Sequence, residues 1–207
     1  YTLAERRMSH PGPDHSKANS INDWNEIVGA WYPEETRMHA VYWDSSGAAY
    51  DLHDWVTAGG SWSKAAGIND GGQIAGWAAD SGNRTHRGFV ANVRTGVVRH
   101  VPALNDEHES RLYSINGRGK AVGVFKADVF SYHGLLFDAN TGTAENLNDR
   151  LPPDQRWPHV PQPHNLSGWL LLEAWGINNL GQIAGCGMRS IEGRYVDRAF
   201  RLVPRSV

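Results

Sequence analysis

Hydrophobic and polar residues alternate over short runs along this chain, and turn residues separate the runs. "QIAGWA" (73–78), "RGFVANV" (87–93) and "VVRHVPAL" (97–104) are of this kind. Period-two alternation over a handful of residues predicts half-buried strands. No segment reads as a convincing helix, so the expectation is an all-β chain. The separators "NDGG" (69–72) and "RTG" (94–96) are rich in Asn and Gly. Both residues tolerate the left-handed backbone of tight turns.

The pattern also recurs on a longer scale. "ANSINDWNEIVGAWY", "AAGINDGGQIAGWA", "LYSINGRGKAVGVF" and "AWGINNLGQIAGCGM" share the order Ile-Asn, four residues, a hydrophobic residue, any residue, Gly. Their isoleucines are Ile21, Ile68, Ile115 and Ile177, at steps of 47, 47 and 62 residues. A period of about 40–50 residues suits a four-stranded propeller blade. Strand A runs into Ile-Asn, strand B follows the tight turn, and strand C reads "HAVYW", "RGFVANV", "HGLLF" and "RAFRL". Strand D reads "AAYDLHDW" (48–55), "VVRHVPAL" and "AENLNDRL" (144–151). The fourth copy stops after strand C. "YTLAERRM" (1–8) matches the "YDL" of blade one and is the candidate for the missing strand. The expected fold is therefore one small β-propeller of four blades with four strands each, closed by the N-terminal strand pairing into the last blade. The blades span about 17–55, 64–104, 111–151, and 173–204 plus 1–8, with a Pro-rich insertion at 152–168.

Composition narrows the function classes. A net charge of −2 provides no overall field for nucleic acid or an anionic membrane. One cysteine, Cys186, excludes an internal disulfide, which fits a cytosolic protein and a bacterial extracellular one alike. No apolar run approaches the ~20 residues of a membrane-spanning helix, so no membrane insertion is expected. Nine Trp and ten His are the unusual features.

The block Ile-Asn-Asp-x-Gly-Gln-Ile-x-Gly, followed by "HAV" (39–41), "RGF" (87–89), "HGL" (133–135) and "RAF" (198–200), resembles the bacterial HAF-repeat family. The resemblance covers nearly the whole chain. It implies an extracellular or periplasmic protein and carries no activity with it.

Blade topology sorts the loops. A–B and C–D turns are tight. The B–C and D–A connections, expected at 9–16, 32–38, 56–63, 79–86, 105–110, 126–132, 152–168 and 187–197, share the other face. Long loops on a rigid scaffold are where binding and catalysis concentrate. Most histidines fall at that face too. His39 and His133 recur at the start of strand C, which suits a scaffold hydrogen bond as well as a chemical role.

Four residues before each repeated isoleucine stand Lys17, Lys64, Arg111 and Glu173. Strand direction puts them near the mouth of a central channel, where cations create a local positive field. Two residues before each isoleucine stand Asn19, Ala66, Tyr113 and Trp175, a varied set between small neighbours. The insertion adds Trp157, His159, His164 and Trp169 along five prolines.

No phosphate loop, zinc cysteine pair or nucleophile elbow is present, and no cofactor motif is visible. Two readings stand. In the first, the channel mouth binds a small molecule, glycan or peptide, with anionic groups favoured. Lys17, Lys64 and Arg111 hold charge, while Tyr113, Trp175, Trp157 and Trp169 stack. In the second, the same face is an enzyme of the lyase, isomerase or cyclase type, with His39, His133, His159 and Glu173 as acid–base groups.

Overall fold

The computed structural model describes residues 15–34, 37–57, 59–106, 108–129, 131–156, 168–191 and 194–204. Four antiparallel sheets follow one another along the chain. The first contains β1 (Ser16–Ile21), β2 (Ile27–Glu34), β3 (Arg37–Trp43) and β4 (Ala49–Asp51). The second contains β5 (Ser63–Ile68), β6 (Gln73–Ala79), β7 (His86–Asn92) and β8 (Val97–His100). β9 (Ser110–Ile115), β10 (Lys120–Lys126), β11 (Tyr132–Asp138) and β12 (Thr143–Asn146) form the third. β13 (Trp169–Ile177), β14 (Ile183–Ile191) and β15 (Arg194–Leu202) form the fourth, three-stranded sheet. These sheets correspond to the four repeats. Residues 1–8, expected to complete the fourth sheet and close a ring, lie outside the described residues.

Each sheet packs on the next through apolar side chains. Val28, Ala40, Tyr42 and Leu52 of sheet one and its exit meet Ala65, Ile68, Ile74 and Phe89 of sheet two. Ala75 and Val90 meet Leu112, Ile115, Phe125, Leu135 and Phe137 in the second layer. Val122, Leu136 and Leu147 meet Leu171, Ala174 and Ile183 in the third. Each fully buried Phe or Leu contributes about 1.5–3 kcal/mol relative to an exposed one. The core is thus a series of layers between sheets. At the start of the series, Ile21 stays 60% exposed, whereas its repeat counterparts Ile68 and Ile115 are buried.

A directional polar ladder runs beside these layers. Asn22 Nδ2 donates to the Asn69 carbonyl (3.2 Å), Asn69 Nδ2 to that of Asn116 (2.8 Å), and Asn116 Nδ2 to that of Asn178 (3.0 Å). Each asparagine also ties its own A–B turn. The Oδ1 of Asn69 accepts from the Gln73 amide at 3.0 Å, and the Oδ1 of Asn116 accepts from the Lys120 amide at 3.0 Å. The repeated Asn is therefore the joint between blades, as well as a turn residue.

The repeated Gly of strand B has an equally specific cause. A Cβ added at Gly29, Gly76, Gly123 or Gly185 would overlap the backbone carbonyl of Lys17, Lys64, Arg111 or Glu173 respectively. Those carbonyls press in because strand A carries a β-bulge in every sheet. Ala18 faces Gly29 and Ser20 faces Val28, so Asn19 is left out of the pairing. Ala66, Tyr113 and Trp175 are left out in the same way. A bulge re-aims the side chain it releases.

Three expectations are corrected. Strand D of sheet one ends at Asp51, and a short helix, α1 (His53–Val56), follows. Asp51 Oδ1 accepts the His53 amide at 2.8 Å, which turns the chain out of the sheet. In sheet three Asn146 Oδ1 accepts the Asn148 amide at 3.0 Å and starts a 3-10 turn, Leu147–Arg150. In both cases the next residue, Leu52 or Leu147, is buried. Second, the expected loop at 32–38 is a hairpin, with β2 reaching Glu34 and β3 starting at Arg37. Third, the loop at 187–197 is largely strand, because pairing of β14 and β15 continues from Gly187↔Arg198 to Ile191↔Arg194.

Candidate functional site

The bulges decide what the inner strands present. In sheets three and four the released residues are aromatic. Tyr113 and Trp175 stack with centroids 4.7 Å apart and planes 13° from parallel. Trp175 remains 54% exposed, so the outer face of the pair is open. Burial, with the nearby Glu173 carboxylate, holds the Tyr113 phenol above its ordinary range. In sheet one the released Asn19 instead donates to the Ala65 carbonyl at 2.8 Å, and in sheet two the position is Ala66. The aromatic step therefore belongs to sheets three and four.

Beside it sits a cluster that sequence reasoning found only in part. Arg111 Nη2 lies 2.9 Å from His86 Nδ1 and 3.1 Å from Glu109 Oε1. Tyr132 donates its hydroxyl to the same Glu109 oxygen at 3.1 Å, and His86 Nδ1 stands 3.4 Å from it. The Arg111 guanidinium lies over the Trp77 ring at 5.5 Å, and Trp77 meets His86 edge-on at 4.6 Å. Glu109 is buried, with 9% exposure. Burial and the Arg111 charge push His86 below the ordinary imidazole range, with Glu109 opposing. Burial and Glu109 raise the Tyr132 phenol. Arg111 Nε is buried with no hydrogen-bond partner. Glu109 was not anticipated because it lies in a connection ahead of strand A, outside the repeat. His86 and Tyr132 fall at the ends of the expected connections 79–86 and 126–132 and belong to no motif.

The remaining candidates separate. Lys17 is exposed and sits 5.7 Å from the Tyr32 ring. Lys64 is half-buried and pairs in register with Trp77, whose ring carries Arg111 on its face. Glu173 is half-buried, with Cys186 Sγ 3.9 Å from its carboxylate. Trp169 is half-buried and packs against the third core layer, with Arg189 at 5.8 Å over its ring. Trp157, His159 and His164 lie outside the described residues.

The histidines proposed as acid–base groups occupy different sheets. His39 Nδ1 is 2.7 Å from Asp51 Oδ2, and its ring stacks on His53 at 3.8 Å. His53 in turn engages Ser63 Oγ at 2.8 Å and the Gly60 carbonyl at 2.9 Å. His133, in sheet three, meets Phe125 edge-on and lies 3.5 Å from Asn146 Nδ2. Both therefore join strand C to its own sheet or to the link that follows, which fits the scaffold role.

The face of tight turns is less plain than expected. A cleft of about 440 Å³ between sheets one and two is lined by Trp24, Glu26, Ser45, Asp70 and Arg94. There Arg94 Nη2 caps buried Glu26 at 2.8 Å, and Tyr42 donates to it at 2.7 Å. Burial opposes ionisation of Glu26, yet Tyr42, Asn22 and Arg94 together hold its carboxyl below the ordinary range. Among the described residues no group of three or more His, Cys, Asp or Glu side chains is placed to hold a metal ion. Nor is any helix among them long and apolar enough to cross a membrane.

These features define an all-β, propeller-like stack of four antiparallel sheets with an aromatic and charged inner edge. No protein-family profile matches the chain, and no curated protein matches it. Among solved structures its fold is similar to that of TolB from Acinetobacter baumannii, at 13% identity and a TM-score of 0.52. The match covers 94% of this chain and 45% of that one, so the chain spans less than half the length of the TolB structure.

Proposed function

We propose that this chain is a recognition module that binds a ring-bearing small molecule, glycan or peptide on the Tyr113–Trp175 step. The observation that carries the reading is the exposed outer face of Trp175, held parallel to Tyr113 by two adjacent β-bulges. A flat or sugar ring laid on an exposed indole gains contact area without ordering a flexible side chain. Lys64 and Arg111, with Lys17 further along the inner edge, supply charge for an anionic substituent. Recognition is favoured over turnover because His39 and His133 are engaged in separate sheets.

In this reading residues 1–8 supply the missing strand of sheet four and close a four-bladed ring, and the repeats are of the HAF type. That resemblance supports a place outside the cytoplasm. The test of function is a glycan and small-molecule screen by calorimetry with Trp175→Ala as control. The variant should fold normally and lose binding. A ligand bound equally well by wild type and variant would overturn the site. Deleting residues 1–8 tests ring closure, and an unchanged melting temperature would overturn it.

A further inference from the structure

We infer that Glu109 sets the charge of the ligand, making this a site for a ring compound carrying a single negative charge. The inference rests on the recognition reading above and specifies its ligand class. The repeat pattern puts Arg111 near the channel mouth as one of three cations that hold charge. In the structure Glu109, an almost fully buried carboxylate from the preceding link, holds one edge of that guanidinium. His86 shares the same Nη2. Tyr132 donates to the Glu109 oxygen and fixes it in place. The cation is thus already half-answered before any ligand arrives.

What is left is the exposed part of the Arg111 side chain, 32% of it, since Nε itself is enclosed by protein atoms. A guanidinium that reaches solvent makes a charge-assisted hydrogen bond to one ligand oxygen. The neighbouring aromatic step supplies the platform for the ring. A carboxylate pairs with that exposed edge of Arg111 and balances the remaining positive field of Lys64. A dianion would bring a second charge towards Glu109 and Glu173, and like charges in a partly desolvated site repel. A neutral ring would leave the exposed edge of Arg111 without a counter-charge. Glu109 is therefore a specificity-determining residue that acts through Arg111.

Three probes share a flat nitrophenyl ring and differ in charge: 4-nitrophenyl β-D-glucoside, 4-nitrophenyl β-D-glucuronide and 4-nitrophenyl phosphate. Calorimetry on the full chain at pH 8 should find the glucuronide roughly tenfold tighter than the glucoside, a difference of about 1.4 kcal/mol, and at least as tight as the phosphate. Glu109→Gln should move the phosphate-to-glucuronide preference roughly tenfold towards the phosphate. Arg111→Gln serves if that variant does not fold, and it should abolish the preference for glucuronide over glucoside. Equal binding of glucoside and glucuronide, or an unmoved preference in Glu109→Gln, overturns the inference. If Trp175→Ala still removes all binding in that case, the stacking site survives without its charge rule. Silence from all three probes overturns both.

Discussion

Gly123→Ala is the sharpest probe of the bulge that organises the inner edge. Gly123 lies in β10 opposite Leu112 of β9. A Cβ built there overlaps the Arg111 carbonyl oxygen and stands 2.8 Å from the Leu112 Cα. Both obstacles are backbone, so no side-chain rotation relieves them. Overpacking of this kind costs about 1–3 kcal/mol, and a backbone obstruction belongs at the upper end, near 3 kcal/mol. With a urea m-value of about 2 kcal/mol/M, the midpoint should fall by roughly 1.5 M. The melting temperature should fall by roughly 6–12 °C. Gly176→Ala is the control, since an added Cβ there meets nothing within 4 Å. It should stay within about 0.5 kcal/mol of wild type. Gly123→Ala also pushes on the backbone of Arg111 and Leu112, next to Tyr113, so the near-ultraviolet signal of the Tyr113–Trp175 stack should weaken in the folded protein. If Gly123→Ala and Gly176→Ala unfold at the same urea concentration, the carbonyl-on-glycine explanation of the repeat is wrong.

Other outcomes follow from the same geometry. Asn69→Ala removes hydrogen bonds to Gln73 and across to Asn116, and should cost about 2–3 kcal/mol by urea unfolding. Asn178→Ala touches only its own exposed turn and one incoming bond to its backbone, so it should cost under about 1 kcal/mol; equal losses would remove the ladder as a joint between sheets. Burial lowers His53, His86 and His100 below the ordinary imidazole range, helped by His39, Arg111 and Arg87 respectively. The unfolded chain then binds more protons than the folded one as pH falls below about 6.5, so stability is full above that pH and declines below it. The slope reaches at most about 1.4 kcal/mol per pH unit for each histidine, and a melting temperature flat from pH 8 to pH 5 would count against it. Arg94→Ala uncovers the carboxylate of Glu26, whose Oε2 it caps at 2.8 Å. It should cost about 1–3 kcal/mol at neutral pH. Tyr42→Phe in the same background should add less than it does alone, and strict additivity in that double-mutant cycle would show the two contacts to be independent.

The sequence alone determined the architecture at the level of repeats. Ile-Asn, the turn glycines and the alternating runs set four similar sheets and their strand order, because strand period and turn chemistry are local properties. It also singled out Tyr113 and Trp175 as the varied inner position, although not the reason. The reason is a bulge, visible only once strands A and B are in register and the Arg111 and Glu173 carbonyls rest on Gly123 and Gly185. Other features needed the tertiary structure for the same cause. Asp51 could equally have continued a strand, until packing of Leu52 beneath it rewarded the turn. Trp169 reads as a stacking residue, and its packing, half-buried, against the third core layer is visible only in the fold. Arg111 reads as a charge-holding cation at the channel mouth, and only the packing of sheet two on sheet three brings His86 against it beside Glu109. Charge, burial and partner at the inner edge are properties of chain segments distant in sequence. Their meeting is decided by how the sheets pack, which no local pattern encodes.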